Sequence, residues 1–327
     1  WAVGVSWPEA GRCVGRLAIE VGSKVNVSKL ALRVALAGGG KAGNIISPNP
    51  NTIAAASGFD IQPSAVMVSS FIPALFGLGM AVLLATLVQH RGQVVTMDDL
   101  NGGENASAKS GGKASRELPS IGRAMVAPAI AVVLLLINPL GSVLGIKALT
   151  MFQVDAMYIL PFAAIVGLLA MGQGRRILDY TKAGIARMID VVMILIGAGA
   201  LGGLITSSDL PDQIVRLITA AGVPGALLAP IAGILMAAAT ASTSTGVILG
   251  ASSFGETILA FGTTPVAAAV TMQTGATVID ALPHGNYFHV SAKSMNMSIG
   301  ERLGVLPFEA LVGLTMTVVA VVLNIVF

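Results

Sequence analysis

Two stretches of this sequence set small hydrogen-bonding side chains inside apolar surroundings. The first is Ser47-Pro48-Asn49-Pro50-Asn51-Thr52, followed by Ile53-Ala54-Ala55-Ala56. The second is Ala239-Thr240-Ala241-Ser242-Thr243-Ser244-Thr245-Gly246, between the apolar runs 225–236 and 247–251. Pro48 and Pro50 lack amide donors and restrict the residues before them, so a continuous helix does not pass through the first stretch. Asn51-Thr52 and Ser244-Thr245 each stand directly before a new helical run. A broken helix points free amides and its positive dipole end at an anion. Ser, Thr and Asn side chains can donate to or accept from hydroxyl and carboxylate groups. The candidate binding residues are therefore Asn49, Asn51, Thr52, Ser242, Ser244, Thr245 and Gly246. Either stretch alone also reads as helix packing, since Ser and Thr are common at contacts between membrane helices. The occurrence of two such breaks, one in each part of the chain, is what points to a shared site.

Ionisable residues within or beside the apolar runs are Asp155, Asp190, Glu256, Asp280, His284 and His289. Such residues default to ion or substrate pathways, including proton relays, and a histidine titrates near physiological pH. Asp280 and His284 are the candidate proton-carrying pair. Asp155 and Asp190 lie near expected span ends, where simple solvation accounts for them. Gly197-Ala198-Gly199-Ala200-Leu201-Gly202 fits the dinucleotide fingerprint, but no strand precedes it. Gly199 and Gly203, four residues apart, read better as a close helix contact. Ser291 near His289 is the local nucleophile–base candidate, and neither Gly-x-Ser-x-Gly nor His-Glu-x-x-His occurs, so an enzyme is not expected. The single Cys13 excludes a disulfide framework and a multi-cysteine metal site, and no metal or cofactor is expected.

The elements that must position these residues follow from composition. The chain is 54% hydrophobic and 11% charged, with a mean hydropathy of +0.84, whereas soluble domains carry about 25% charged residues. Long apolar runs suit helices, while a membrane β-barrel alternates in short segments. The expected fold class is all-α, a polytopic transmembrane helix bundle in the lipid bilayer, and the net charge of +3 gives no reason to expect nucleic acid. Residues 1–29 read as an amphipathic or interfacial helix, and a short Ala/Gly-rich helix leads into the first break. Spans are expected at 64–88, 122–144, 151–171, 188–205 and 305–327. Half-helices at 224–239 and up to 261 flank the second break, and 265–279 is apolar but short. The sequence divides into 1–88 (the end of a first half, with the proline-containing break), 89–121 (a polar linker with Gly102-Gly103 and Gly111-Gly112) and 122–327 (a second half, with the hydroxyl-rich break). Arg175, Arg176, Lys182 and Arg187 mark a basic loop on the same side as the linker, and the positive-inside rule makes that side cytoplasmic. The start at Trp1 reads as an N-terminally incomplete chain, so these helix counts are lower bounds.

Three places carry a family resemblance. The segment 48–56 resembles the proline-rich motif of the gluconate permease (GntP) family of proton-coupled sugar-acid symporters, in the wider ion transporter superfamily. The segment 197–203 with the loop to Ile214 resembles that family's glycine-rich span. Gly285-Asn286-Tyr287-Phe288, with Ser298 and Glu301 behind it, resembles its Asn-Asp-Ser-Gly-Phe region. Ser47 stands where the family's histidine is expected, and His284 and Asn286 replace part of an Asn-Asp pair. The resemblance implies two halves of inverted topology with broken or re-entrant helices. It also implies a multi-pass location in the bacterial inner membrane and uptake of gluconate or a related small hydroxy-carboxylate with a coupling proton. It adds Asn286 to the site and leaves homo-oligomer formation open. A sodium-coupled di- or tricarboxylate carrier of the same superfamily is the alternative, and an intramembrane enzyme a remote one.

Overall fold

The computed structural model describes residues 18–96, 99, 120–151, 154 and 156–326. Among these the secondary structure is helical apart from one isolated bridge, Ser28 to Val94. Helix α1 (Lys29–Ile45) leads to the first break, and α2 (Pro50–Gly58), α3 (Pro63–Ser69) and α4 (Phe71–Leu87) follow it. Helices α5 (Val126–Leu144), α6 (Ala156–Ala170), α7 (Ile177–Thr206) and α8 (Leu210–Ala220) come next. The second break separates α9 (Leu228–Thr240) from α10 (Thr243–Ala260). The chain continues with α11 (Pro265–Ala276), α12 (Asn286–Lys293), α13 (Ile299–Leu303) and α14 (Leu306–Val321).

Local chemistry sets many of these boundaries. Pro50, Pro63 and Pro265 begin helices, where a missing amide costs nothing. Thr264 caps α11, and Ser298 with Glu301 closes a capping box on α13. Ala241 ends α9 at φ +47°, a left-handed turn that redirects the chain into α10.

The helices around the two breaks pack in two groups, and α5 and α6 form a separate small cluster through Leu135 and Ile159. Helices α2, α9, α10 and α11 bury Ala55, Ala56, Val247, Phe254 and Met272. Helices α1, α4 and α14, with the loop after α12, bury Val34, Ala81, Met295 and Met316. Helix α11 touches α14 and α9, and so joins the groups. The interior is rich in Ala and Gly, whereas large apolar side chains lie outside: Phe71, Ile72, Leu75, Phe76, Val82 and Leu83 of α4 are all exposed. That distribution inverts the one found in water-soluble proteins and matches close helix approach in a bilayer.

By length and hydropathy, one continuous run among the described residues, Ile299–Val326, can cross a membrane. Pro63–Ser69 and Phe71–Leu87, bent by 49° to each other, together make a second. Shorter apolar helices lie at Ile121–Ile137, Tyr158–Ala170 and Gly225–Thr240, and α6 carries Pro161 in its interior. The glycine contact expected on α7 is not made within the described residues: a methyl group at Gly197, Gly199 or Gly203 would meet nothing within 4 Å. Lys182 and Arg187 fall inside α7 rather than in a loop, because this helix runs for 30 residues, about 45 Å at 1.5 Å per residue.

Three buried cations of α1 each meet an acid from a different part of the chain. Lys29 lies 2.6 Å from Asp99, Arg33 lies 3.5 Å from Glu309, and Lys41 lies 2.6 Å from Asp280. At the first of these, residues 89–96 fold back on the start of α1. The Ser28 amide donates to the Gln89 carbonyl at 2.9 Å and that of Lys29 to Gln93 at 2.8 Å. Burial alone would raise the Asp99 carboxyl, but the Lys29 ammonium and the Thr96 amide and hydroxyl outweigh it and hold Asp99 below its ordinary value. A depressed carboxyl stabilises the fold above the ordinary carboxylate range and loses that contribution as pH falls toward the lowered value. Asp99→Asn is expected to cost roughly 3 kcal/mol at about pH 7, as loss of one partner of a buried pair does. Thermal unfolding in detergent should show the wild-type advantage shrinking as pH drops below about 4.

Candidate functional site

Asn49 builds the first break. Its side-chain oxygen accepts from the Asn51 amide at 2.8 Å and the Thr52 amide at 3.3 Å, which caps α2. Its amide group donates to the Ser47 hydroxyl at 2.8 Å and to the Asn44 carbonyl. The Ile53 amide donates to the Asn49 carbonyl at 3.0 Å. The start of α2 is thus closed by its own cap, and Asn49, expected as a ligand, is spent on holding the break.

Ser242 plays the corresponding part in the second break. Its hydroxyl accepts from the Thr245 amide and from the Thr245 hydroxyl, at 3.3 and 3.1 Å. The Gly246 amide donates to the Ser242 carbonyl at 2.9 Å. No bond to the amide of Thr243 or Ser244 is seen among the described residues, so α10 keeps an open end. Gly246 is buried, and a side chain there would sit 2.6 Å from the backbone of Ala237. It lets α9 and α10 approach, and its amide is engaged by the Ser242 carbonyl.

The two breaks meet. The Ser244 hydroxyl donates to the Asn51 side-chain oxygen across 193 residues of sequence, and both residues are partly buried. Behind this contact, Gln273 of α11 donates to the Thr52 hydroxyl at 3.0 Å. Its other end, Oε1, is fully buried with no partner among the described residues.

Asp280 follows α11 and reaches the same junction. One carboxylate oxygen lies 2.6 Å from Lys41 Nζ, and the other accepts from the Thr243 hydroxyl at 2.6 Å. Lys41 also donates to the Thr277 carbonyl. The expected pairing of Asp280 with His284 is replaced by this one: His284 is exposed, on the turn before α12. Asn286 is exposed at the start of α12, one residue after Gly285, which packs against Ala241 of the second break. Ser291 donates to the Phe288 carbonyl and accepts from Arg302, while His289 Nε2 lies 2.7 Å from the Pro283 carbonyl, so the two form no nucleophile–base pair. Glu256 is exposed on α10, Asp190 lies on α7, and Asp155 lies outside the described residues.

Sequence reasoning missed Lys41, Thr243 as an acid's partner, and Gln273. A signal existed for the first. Lys41 is a charged residue in the Gly/Ala-rich run before the break, and the rule applied to the acids covers it equally. Arg33, Arg302 and Glu309 were missed in the same way; all are buried, with Arg302 Nη2 2.9 Å from Glu309.

Two comparisons bear on this arrangement. The sequence matches the profile of the GntP family permease over residues 14–326. It is also similar to an uncharacterized transporter of Haemophilus influenzae, with 39% identity over 319 residues, covering 98% of this chain and 72% of the relative.

The geometry makes Gly246 a packing residue. Gly246→Ala is expected to destabilise the protein by about 1–3 kcal/mol through overpacking against Ala237. Thermal unfolding in detergent would register this as a lowered midpoint, and an unchanged midpoint would show that α9 and α10 can separate at no cost.

Proposed function

This chain belongs to the GntP family of permeases, and from that premise we propose that it carries gluconate or a related small hydroxy-carboxylate across the bacterial inner membrane together with a proton. A transporter follows from the family and from the similar Haemophilus influenzae transporter. The observation that carries the finer reading is the Asn51–Ser244 contact, which brings the two helix breaks to one place. Paired interrupted helices in a transporter mark a substrate site, and irregular backbone at membrane depth is tolerated where it lines a cavity.

In this reading the substrate carboxylate meets the open end of α10, beside Thr243. Its hydroxyls insert between Asn51 and Ser244, which exchange their mutual bond for bonds to the ligand, and Thr52, Thr245 and Asn286 border the same space. Two halves of inverted topology then move against one another, in a multi-pass protein of the inner membrane. Asp280 carries the coupling proton. His284, exposed on its turn, has a lesser claim to that role.

The test is uptake of labelled gluconate into sealed liposomes bearing the full-length protein. Under an inward proton gradient without sodium, uptake is expected to stop when the gradient is dissipated. Uptake that requires sodium and ignores the proton gradient would move the protein to the sodium-coupled carriers. Asn51→Ala and Ser244→Ala are each expected to remove one ligand hydrogen bond, about 1 kcal/mol, and so to raise KM roughly fivefold. Unchanged KM in both variants would remove the junction from the substrate path.

A further inference from the structure

Beside the open end of α10, an anion of the protein itself already holds Lys41 and the Thr243 hydroxyl. Asp280 places one oxygen on Lys41 Nζ and the other on the Thr243 hydroxyl, each at 2.6 Å. Lys41 is 6% exposed and Asp280 12%. Beyond Lys41, Tyr287 at the start of α12 feels the charge of Asp280. Arg33 of α1, Arg302 of α13 and Glu309 of α14 stand around that tyrosine. A substrate carboxylate offers Lys41 and Thr243 the same two acceptor oxygens that Asp280 offers now.

We propose that Lys41 and Asp280 couple substrate to proton by exchange of counterions. The inference rests on the transport reading above. The substrate carboxylate replaces Asp280 on Lys41 and Thr243. The displaced Asp280 oxygen takes a proton from water on the entry side, becoming a neutral carboxylic acid. On the other side the substrate leaves, Asp280 gives its proton to water there, and Lys41 returns to the carboxylate.

Charge balance makes the coupling obligatory. The empty site holds Lys41 positive and Asp280 negative, and sums to zero. The loaded site holds Lys41 positive, the substrate negative and Asp280 neutral, and again sums to zero. Substrate without a proton leaves one excess negative charge, and a proton without substrate leaves one excess positive charge. An unpaired buried charge is costly, so only the neutral forms reorient. The same balance selects for a monocarboxylate, because a dicarboxylate brings a second charge that nothing at this pair offsets.

Full-length protein in liposomes, with gluconate as probe, tests this. One proton per monocarboxylate gives electroneutral accumulation of about tenfold per pH unit, indifferent to an imposed membrane potential. Asp280→Asn fixes the neutral form: the loaded site stays neutral and exchange of internal for external gluconate is expected to continue, while the empty site keeps an unpaired Lys41 and net uptake driven by the pH gradient is expected to be lost. Asp280→Glu, which keeps the charge, is expected to retain accumulation. Lys41→Gln leaves an unpaired acid and is expected to lose both exchange and accumulation. In weakly buffered detergent, binding of gluconate to the wild type should take up one proton, a readout that stands even if a variant fails to fold. Binding without proton uptake, or accumulation by Asp280→Asn equal to the wild type, overturns the exchange while leaving the transporter reading intact. A wild type that neither binds nor carries gluconate overturns the proposed function and this inference with it.

Discussion

A helix that stops inside an apolar protein leaves backbone donors and acceptors that only the protein can satisfy. The arrangement of this molecule around its two breaks follows from that constraint. Asn49 meets it completely at the first break, by capping two amides of α2 while its own amide group ties back to Ser47 and Asn44. Ser242 meets it partly at the second, by capping Thr245 alone. The result is a closed helix start facing an open one. Asn51 and Ser244 make the contact between them, and Asp280 reaches the open side through Thr243.

A second constraint fixes where the first break lies. Lys29, Arg33 and Lys41 bring three buried cations along one helix, and their partners come from residues 99, 309 and 280. A buried ion pair adds little net stability over an apolar substitute, but separating its members leaves a charge without compensation. The pairs therefore penalise any sliding or tilting of α1 more strongly than the surrounding Ala and Gly contacts do. The Ala and Gly contacts set how closely the helices approach, and the charges set the register.

Both breaks were legible in the sequence because their causes are local. Pro48 and Pro50 cannot continue a helix, and Ser242 and Asn49 are good caps within three residues of the amides they serve. The starts at Pro63 and Pro265 were close to legible for the same reason. What could not be read was pairing across long separations. Asp280 meets Lys41 across 239 residues, and no spacing rule connects them, whereas His284, four residues away, was the only partner that local reasoning offered. The span lengths failed differently. Hydropathy marks where a helix is apolar and not where it ends, so α7 began before its apolar part and took Lys182 and Arg187 with it. The glycines of that helix fitted a contact motif, but the motif says nothing about which face a neighbour covers.

The cluster behind the site explains how Asp280 is presented. Two guanidinium groups, Arg33 and Arg302, share one carboxylate, Glu309, in a place where all three are buried. Ring faces add to this cluster: Arg33 and Arg302 lie 5.3 and 5.5 Å from the centre of Tyr287, and Arg302 lies 5.1 Å from that of Phe288. Cation–π contacts in a desolvated setting are worth about 2 kcal/mol or more, and the Tyr287 hydroxyl adds a 2.6 Å bond from Arg33. The start of α12 is thereby pinned to α1. At its other end, the segment bearing Asp280 leaves α11, which Gly275 seats against the backbone of Pro230. Directly before α12, Gly285 rests on Ala241. With its backbone fixed at these points, the acid's remaining freedom is in its side chain. Lys41, on a long flexible stem, has the same kind of freedom. A change of partner at this pair can therefore proceed by side-chain rotation, with the surrounding helices left in place.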